Sequence, residues 1–346
     1  MRQELLEKGR GGLLVTGSCS EGEHFTYNQN GAGMIGESCV TAYMLRWLDS
    51  LLRLEGDMHY GDIMERTIYN ALFAANSPDG RHIRYFTPFT GEREYDLRDC
   101  FCCCGNYRRA IGELPAKVVY RTPEGGIVLN LYTNMKKTFT VAEKSVTLQE
   151  KTAYPNNGDV TISVESADPL AFPLSFRVPH WCEKVTVKVN EEVPIELASD
   201  QCEKGLFTLR RTWKTGDVVR ISMPMEWRLV RGRAVQEGHV ALMRGPVVFG
   251  FSKEQNAELL KKFPQPRDLV VDPKTIGVPE PDTHIRPDGQ KVRVKAWTNP
   301  ECTGEQVEVV YTEFTDPADI AVYFKVPNLN DTQPIRLMDD ELFFMQ

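Results

Sequence analysis

Four of the nine cysteines fall within five residues in Asp99-Cys100-Phe101-Cys102-Cys103-Cys104-Gly105-Asn106, and a fifth follows a carboxylate in Glu37-Ser38-Cys39. Adjacent Cys102 and Cys103 are poorly placed to bridge each other, because a vicinal disulfide closes a strained small ring. Thiolates this close repel one another unless a cation sits among them, and a soft divalent metal answers that need. Glu37, Cys39, Cys102 and Cys103 therefore read as the ligands of one zinc ion. Their spacing is not that of a finger or ribbon, so buried free thiols and thiol redox chemistry stay open beside it. The scattered Cys19, Cys182, Cys202 and Cys302 read as structural or incidental.

Three thiolates and a carboxylate would surround zinc with more negative charge than the ion carries. Such a site is a poor Lewis acid for water, which disfavours metal-hydroxide hydrolysis. It can hold a cysteine as thiolate at neutral pH, and a thiolate in a cleft is a candidate nucleophile. A purely structural metal remains an equal alternative. Gly22-Glu23-His24-Phe25 offers a second reactive group. Desolvation of Glu23 would raise its pKa and make it a general acid. Its bland reading is a solvated loop glutamate, and that of His24 a loop hydrogen-bonder.

Two helices must position these groups. Residues 38 to 54 place Tyr43, Leu45, Trp47, Leu48, Leu51, Leu52 and Leu54 at helical spacing, and Gly56-Asp57 ends the run. A second helix is predicted from about Tyr60 to Ala75, closed by Ser77-Pro78-Asp79-Gly80, so the pair forms an αα-hairpin. Ile83 to Phe89 reads as extended, and a short helix is expected from Tyr107 to about Glu113. From Val118 onward the pattern becomes many short strands, among them Ile127–Tyr132, Val160–Val164, Leu174–Val178, Val185–Val189 and Val218–Ile221. Regular turns between them predict an antiparallel sandwich. Residues 254 to 290, rich in Pro, Asp and Lys, read as a long surface connection before further strands near 291 and 306.

A chain of 346 residues has room for two or three domains, and its 41% apolar and 26% charged content is that of a globular protein. The net charge of -7 argues against a nucleic-acid partner. No apolar run approaches the ~20 residues that span a bilayer. Met1 to Lys8 has no apolar signal core, so a cytoplasmic location is expected, where clustered thiols stay reduced.

Several segments occur in one order: Gly22-Glu23-His24-Phe25, Gly36-Glu37-Ser38-Cys39, Tyr60-Gly61-Asp62-Ile63-Met64-Glu65-Arg66-Thr67-Ile68-Tyr69-Asn70, Tyr85-Phe86-Thr87-Pro88-Phe89 and Cys100 to Asn106. This order resembles the β-L-arabinofuranosidases of glycoside hydrolase family 127 and their relatives in family 146. Phe176-Arg177-Val178-Pro179-His180-Trp181, Trp213 to Asp217 and Ala241 to Pro246 extend the resemblance into the strand-rich region. It implies a retaining glycosidase acting on arabinofuranoside-containing plant glycans. In that reading Cys102 is a zinc-bound nucleophile, with Glu37, Cys39 and Cys103 as the other ligands and Glu23 as acid/base. Glu65, Tyr85 and His24 fall at sugar-binding positions. The bland reading of Glu65 is an exposed helix carboxylate. The implied fold is multidomain α and β. Residues 1–116 would be the C-terminal part of an (α/α)6 catalytic barrel, 117–253 a β-sandwich, and 254–346 a Pro-rich connection with a further β-rich region.

The chain departs from the family pattern at Cys104-Gly105, where relatives carry prolines, which makes Cys104 a competing ligand. Family members are longer, so the missing N-terminal half or a second copy is an expected partner. The apolar face of helix 38–54 is then expected to be exposed. The alternative function is a non-catalytic, zinc-stabilised carbohydrate-binding or structural remnant.

Overall fold

The computed structural model describes residues 12–98, 101–318 and 320–343. The N-terminal reading and the Asp99-Cys100 start of the cysteine run lie outside the described residues. The chain forms two compact units, Met1–Leu45 with Arg66–Arg109 and Trp227–Gln346, and Arg46–Glu65 with Ala110–Glu226. This division differs from one drawn along the sequence at 116 and 253. No helix among the described residues is long and apolar enough to cross a membrane.

In the first unit the strands after residue 227 join one sheet. Its main path runs Val270–Asp272, Gln290–Trp297, Val307–Glu313, Val247–Ser252, Val240–Arg244, Trp227–Arg231 and Arg336–Met338. A break at 253 would cut through it, since Phe249 to Phe251 pair directly with Tyr311 to Glu313. Its strands bury both faces. Leu229, Val240, Leu242 and Phe249 enter one cluster with Val292, Val294 and Tyr311. The alternate residues Val230, Ala241, Met243 and Val248 enter a second cluster with Leu14, Val15, Ile35 and Phe89. Strand alternation thus lets one sheet carry its own core and seat the N-terminal segments. At roughly 1.5–3 kcal/mol per fully buried large aliphatic or aromatic side chain, that second cluster is what holds the site-bearing segments.

The second unit has a six-stranded antiparallel sheet, with Ile195–Ala198 at one edge and Met135–Val141 at the other. A four-stranded sheet holds Leu206–Trp213, Leu170–Arg177, Ile127–Leu129 and Val119–Arg121. The expected antiparallel pairing holds except between Leu170–Arg177 and Ile127–Leu129, which run parallel.

Helix α1 covers Ser38–Glu55, α2 His59–Thr67 and α3 Cys102–Glu113. Gly56, at φ +66°, donates to the Leu52 carbonyl and ends α1 as its Gly56-Asp57 signal predicts. Asp57 accepts from the His59 amide at 3.0 Å and starts α2. The expected helix stays helical through Ala74, with a wider π turn inside it at Ile68–Leu72. Asn70 fixes that turn, donating to the Arg66 and Pro246 carbonyls and accepting from the Val248 amide. In α1, Leu45, Leu48 and Leu52 are buried while Tyr43 and Leu54 are exposed, so the expected exposed apolar face is small.

Glu150, in strand Lys144–Thr152, is a buried carboxyl of the second unit. Its Oε1 accepts from the Thr133 amide at 3.0 Å, and Oε2 has no hydrogen-bond partner among the described residues. Burial pushes its pKa from 4.5 to about 8. The folded chain therefore keeps a proton that the unfolded chain releases. Stability from this group is complete below pH 4.5 and is lost as pH rises to about 8. Glu150→Gln, which stays neutral, should flatten the fall in Tm between those limits, by the equivalent of a few kcal/mol. Thermal melts at pH 5 and pH 8 compare the two chains.

Candidate active site

The site is assembled from two short segments of the first unit. Residues 20–22 and 34–36 zip together: Gly36 donates to the Ser20 carbonyl and Gly22 to the Met34 carbonyl. The Ser20 hydroxyl accepts from the Glu37 amide at 3.0 Å. Thr87 docks beside them, donating to the Ile35 and Gly36 carbonyls. Gly36 has to be glycine. Its φ is +68°, and a Cβ would lie 2.6 Å from Thr87 Oγ1. Ser38 then ties the start of α1 to residues 84 and 85, accepting neither but donating from its amide to Tyr85 O and from its hydroxyl to Arg84 O at 2.7 Å.

Glu37 and Cys39 meet Cys102 and Cys103 at the first turn of α3. One donor atom from each lies within 4.8 Å of the others. The helix was expected from Tyr107 and instead opens at Cys102, since its first turn is made of cysteines and glycine and carries no apolar stripe. That placement puts Cys102 and Cys103 at the positive end of the helix dipole, which favours thiolate. Cys103 is buried and donates to Glu37 Oε1 at 3.7 Å. Burial pushes the Cys103 thiol up, and burial with the nearby charge of Glu23 pushes the Glu37 carboxyl up. Cys39, at 9% exposure, accepts from Asn106 Nδ2 at 3.1 Å. Cys104 is buried and falls outside the four-residue group.

Cys102 is the exposed sulfur of the cluster. Tyr85 Oη lies 3.6 Å from its Sγ. The hydroxyl donates there, which holds the Cys102 pKa below that of an ordinary thiol and pushes the Tyr85 pKa up. Tyr85 stacks on Phe101 and lines a cleft of about 410 Å³ together with Phe86, Tyr95, Glu92, Glu94 and Asp96. Arg93 fixes the cleft wall by donating to the carbonyls of Phe314, Asp316 and Ala318.

Glu23 sits at the tip of a two-residue hairpin turn between β1 (Ser20–Glu21) and β2 (His24–Phe25), with Gly22 at φ +58°. Both Glu23 and His24 are exposed. The turn follows the same segments that hold Glu37, and the charge of Glu23 is felt there.

The four donors fit a soft divalent cation. Glu37 Oε2 is buried and has no hydrogen-bond partner among the described residues, an arrangement that a cation would satisfy. Thiolate sulfur with one carboxylate suits a zinc-like ion.

Glu65 belongs to the second unit and is not the exposed helix carboxylate of its bland reading. It is 1% exposed and pairs with the Arg177 guanidinium, its Oε2 also accepting from Trp181 Nε1 at 3.4 Å. Asp62, one turn earlier on α2, takes the other side of Arg177 and accepts from the His180 amide and ring. Burial raises the Asp62 carboxyl, but Arg177 and His180 outweigh it and hold it below its ordinary value. His59, Asp62 and His180 also offer three metal-type donors within 4.8 Å. There the cation shared by the carboxylates is the guanidinium of Arg177. Gly61 makes room for this arrangement, since a Cβ would lie 2.1 Å from Asn130 Oδ1 and 2.8 Å from Arg177 Cδ.

Residues 11–116 match the family model described as "Beta-L-arabinofuranosidase, GH127 catalytic domain", and residues 126–225 the one described as "GH127 middle domain". A non-reducing end β-L-arabinofuranosidase of Bifidobacterium longum subsp. longum is 26% identical over 258 residues, covering 67% of this chain and 38% of the relative. Among solved structures, a GH127 β-L-arabinofuranosidase from Geobacillus stearothermophilus T6 matches with TM-score 0.79 at 22% identity, over 94% of this chain and 55% of its own. A GH127 β-arabinofuranosidase matches with TM-score 0.80 at 23% identity, over 97% and 56%. The fold and the two matched regions, together more than half of the chain, are those of a glycoside hydrolase. The chain belongs to glycoside hydrolase family 127. It spans a little over a third of the curated relative's length and just over half of each solved structure's.

Sequence reasoning named the four donors together, placed Tyr85 at a sugar-binding position through the family resemblance alone, and missed the groups that hold them. Asn106 lay within the cysteine segment, four residues after Cys102, the spacing of one helix face. Asp62, Arg177 and His180 lay within quoted segments, but nothing local pairs residues more than a hundred positions apart.

Breaking the buried triad should be costly. Arg177→Met is expected to destabilise by roughly 3–5 kcal/mol, because it leaves two buried carboxylates without their cation, and Asp62→Asn or Glu65→Gln, which leaves the guanidinium one carboxylate, should cost less. Replacing Asp62, Glu65 and Arg177 together by apolar residues should cost less than Arg177→Met alone. Urea denaturation of the four variants measures both.

Proposed function

We propose that this chain carries the reactive centre of a retaining β-L-arabinofuranosidase acting on arabinose-containing plant glycans. The observation that carries this reading is the exposure of Cys102 within a cluster whose other donors are buried, with Tyr85 favouring its thiolate. The cation is zinc, held by Glu37, Cys39, Cys102 and Cys103. When bound, it supplies positive charge that keeps the sulfurs deprotonated and makes sulfur a better leaving group.

The Cys102 thiolate attacks the anomeric carbon while the Glu23 carboxylic acid gives its proton to the departing glycosidic oxygen. A carbon–sulfur bond forms as the carbon–oxygen bond breaks. Glu23, now a carboxylate, takes a proton from water, whose oxygen attacks the same carbon and returns the electron pair to Cys102. Two inversions give retention, with sulfur in place of the usual second carboxylate. Tyr85 donates to the sulfur and, with His24, borders the sugar. Glu65, buried in its pair with Arg177, enters this reading as a support of its own unit rather than as a sugar contact. Helices α1 to α3 are read as part of an (α/α)6 barrel, and the two sheets of the second unit as the sandwich.

The exposure of Glu23 at its hairpin tip, where water solvates a carboxylate, favours a second reading, a non-catalytic zinc-stabilised remnant that binds carbohydrate or serves structure. An activated aryl β-L-arabinofuranoside separates the two. Zinc-loaded chain should hydrolyse it with retention and yield a Cys102 glycosyl adduct by mass spectrometry. Cys102→Ser should abolish both, and Glu23→Gln should slow turnover by about 10²–10⁴-fold without loss of zinc. One zinc per chain with neither hydrolysis nor adduct would establish the remnant instead.

A further inference from the structure

The three cluster thiols have different partners. Cys103 donates to Glu37, Cys102 receives Tyr85, and Cys39 receives a side-chain amide. That amide belongs to Asn106, which is 6% exposed on the face of α3 that follows Cys102 and Cys103. Its Oδ1 accepts from Arg109 Nη2 at 2.7 Å, while Arg109 Nε reaches the Gly105 carbonyl at 3.3 Å. An arginine side chain can only donate. Arg109 therefore fixes which end of the Asn106 amide is oxygen and turns the NH2 end toward Cys39. An N–H donor aimed at sulfur suits a metal-bound sulfur, which is a better acceptor than a thiol.

We propose that Asn106, oriented by Arg109, is a positioning residue that fixes the Cys39 sulfur as a spectator ligand of the metal and so leaves Cys102 as the reactive one. The hydrogen bond draws electron density from Cys39 and relieves the excess negative charge of a three-thiolate set. Tyr85 does the corresponding work at Cys102 with a group that also faces the cleft. Arg109 is exposed on α3, so its charge reaches the cluster through the Asn106 amide. The inference rests on the metal reading above and deepens it.

Cobalt(II) is the probe, since its thiolate charge-transfer bands report sulfur electron density without turnover. Asn106→Ala should bind cobalt and zinc about 10–100-fold more weakly, the usual effect of losing such an outer partner. Its charge-transfer band should move to lower energy, because Cys39 becomes more electron-rich. Arg109→Gln should move both readouts in the same direction by less, and Arg109→Lys, which still donates, should restore them. Should Asn106→Ala not fold, the exposed Arg109 pair decides alone. Variants with the band and affinity of the unmutated chain would overturn this inference and leave the metal reading standing. No thiolate band in the unmutated chain would overturn both.

Discussion

Four acidic donors crowded into one small volume govern the architecture around them. Three thiols and a carboxyl cannot ionise together in a protein interior without compensation. Each feature near them eases that conflict: the start of α3 contributes its dipole, Tyr85 and Asn106 contribute hydrogen bonds, and Glu37 Oε2, without a hydrogen-bond partner among the described residues, is free to ligate a cation. These devices act on different sulfurs. Three residues of identical chemistry therefore acquire one buried donor, one amide-held acceptor and one exposed, tyrosine-assisted sulfur.

Holding such a site demands a rigid base, and the long sheet of the first unit supplies it. Its strands bury both faces, so the segments that carry Glu37 and Tyr85 pack through Ile35 and Phe89 onto residues more than two hundred positions later. The segments that build the site and the C-terminal strands form one packed body, which is why this compact unit runs across residue 253. In the second unit the burden falls on one ion cluster. Arg177 lies between Asp62 and Glu65, His180 also pairs with Asp62, and glycine at position 61 leaves the room that this pairing needs.

Much of the local structure was legible beforehand. Gly56-Asp57 ends α1, the helix spacing of 38–54 is real, and the strand-rich pattern begins near Val118 as expected. The errors have physical causes. α3 starts five residues before its apolar stripe, because a first turn of cysteines has no hydrophobic period to read. The helix from His59 runs to Ala74 as expected, but it widens into a π turn because Asn70 finds the Pro246 carbonyl and the Val248 amide, partners that its neighbours do not reveal. The Pro-rich stretch after 254 read as a connection, yet it carries the short strands Val270–Asp272 and Glu280–Pro281 on the sheet.

By itself the sequence determined which donors exist, that thiols crowd together at 102–104, and where α1 ends at Gly56-Asp57, since residue type and local conformation are short-range properties. Tertiary structure decided which sulfur meets solvent, which receives Tyr85 or Asn106, and that Glu65 is used up in an ion pair with Arg177. Those outcomes depend on burial and on partners distant in the chain, and both are set only when segments far apart in sequence pack against one another.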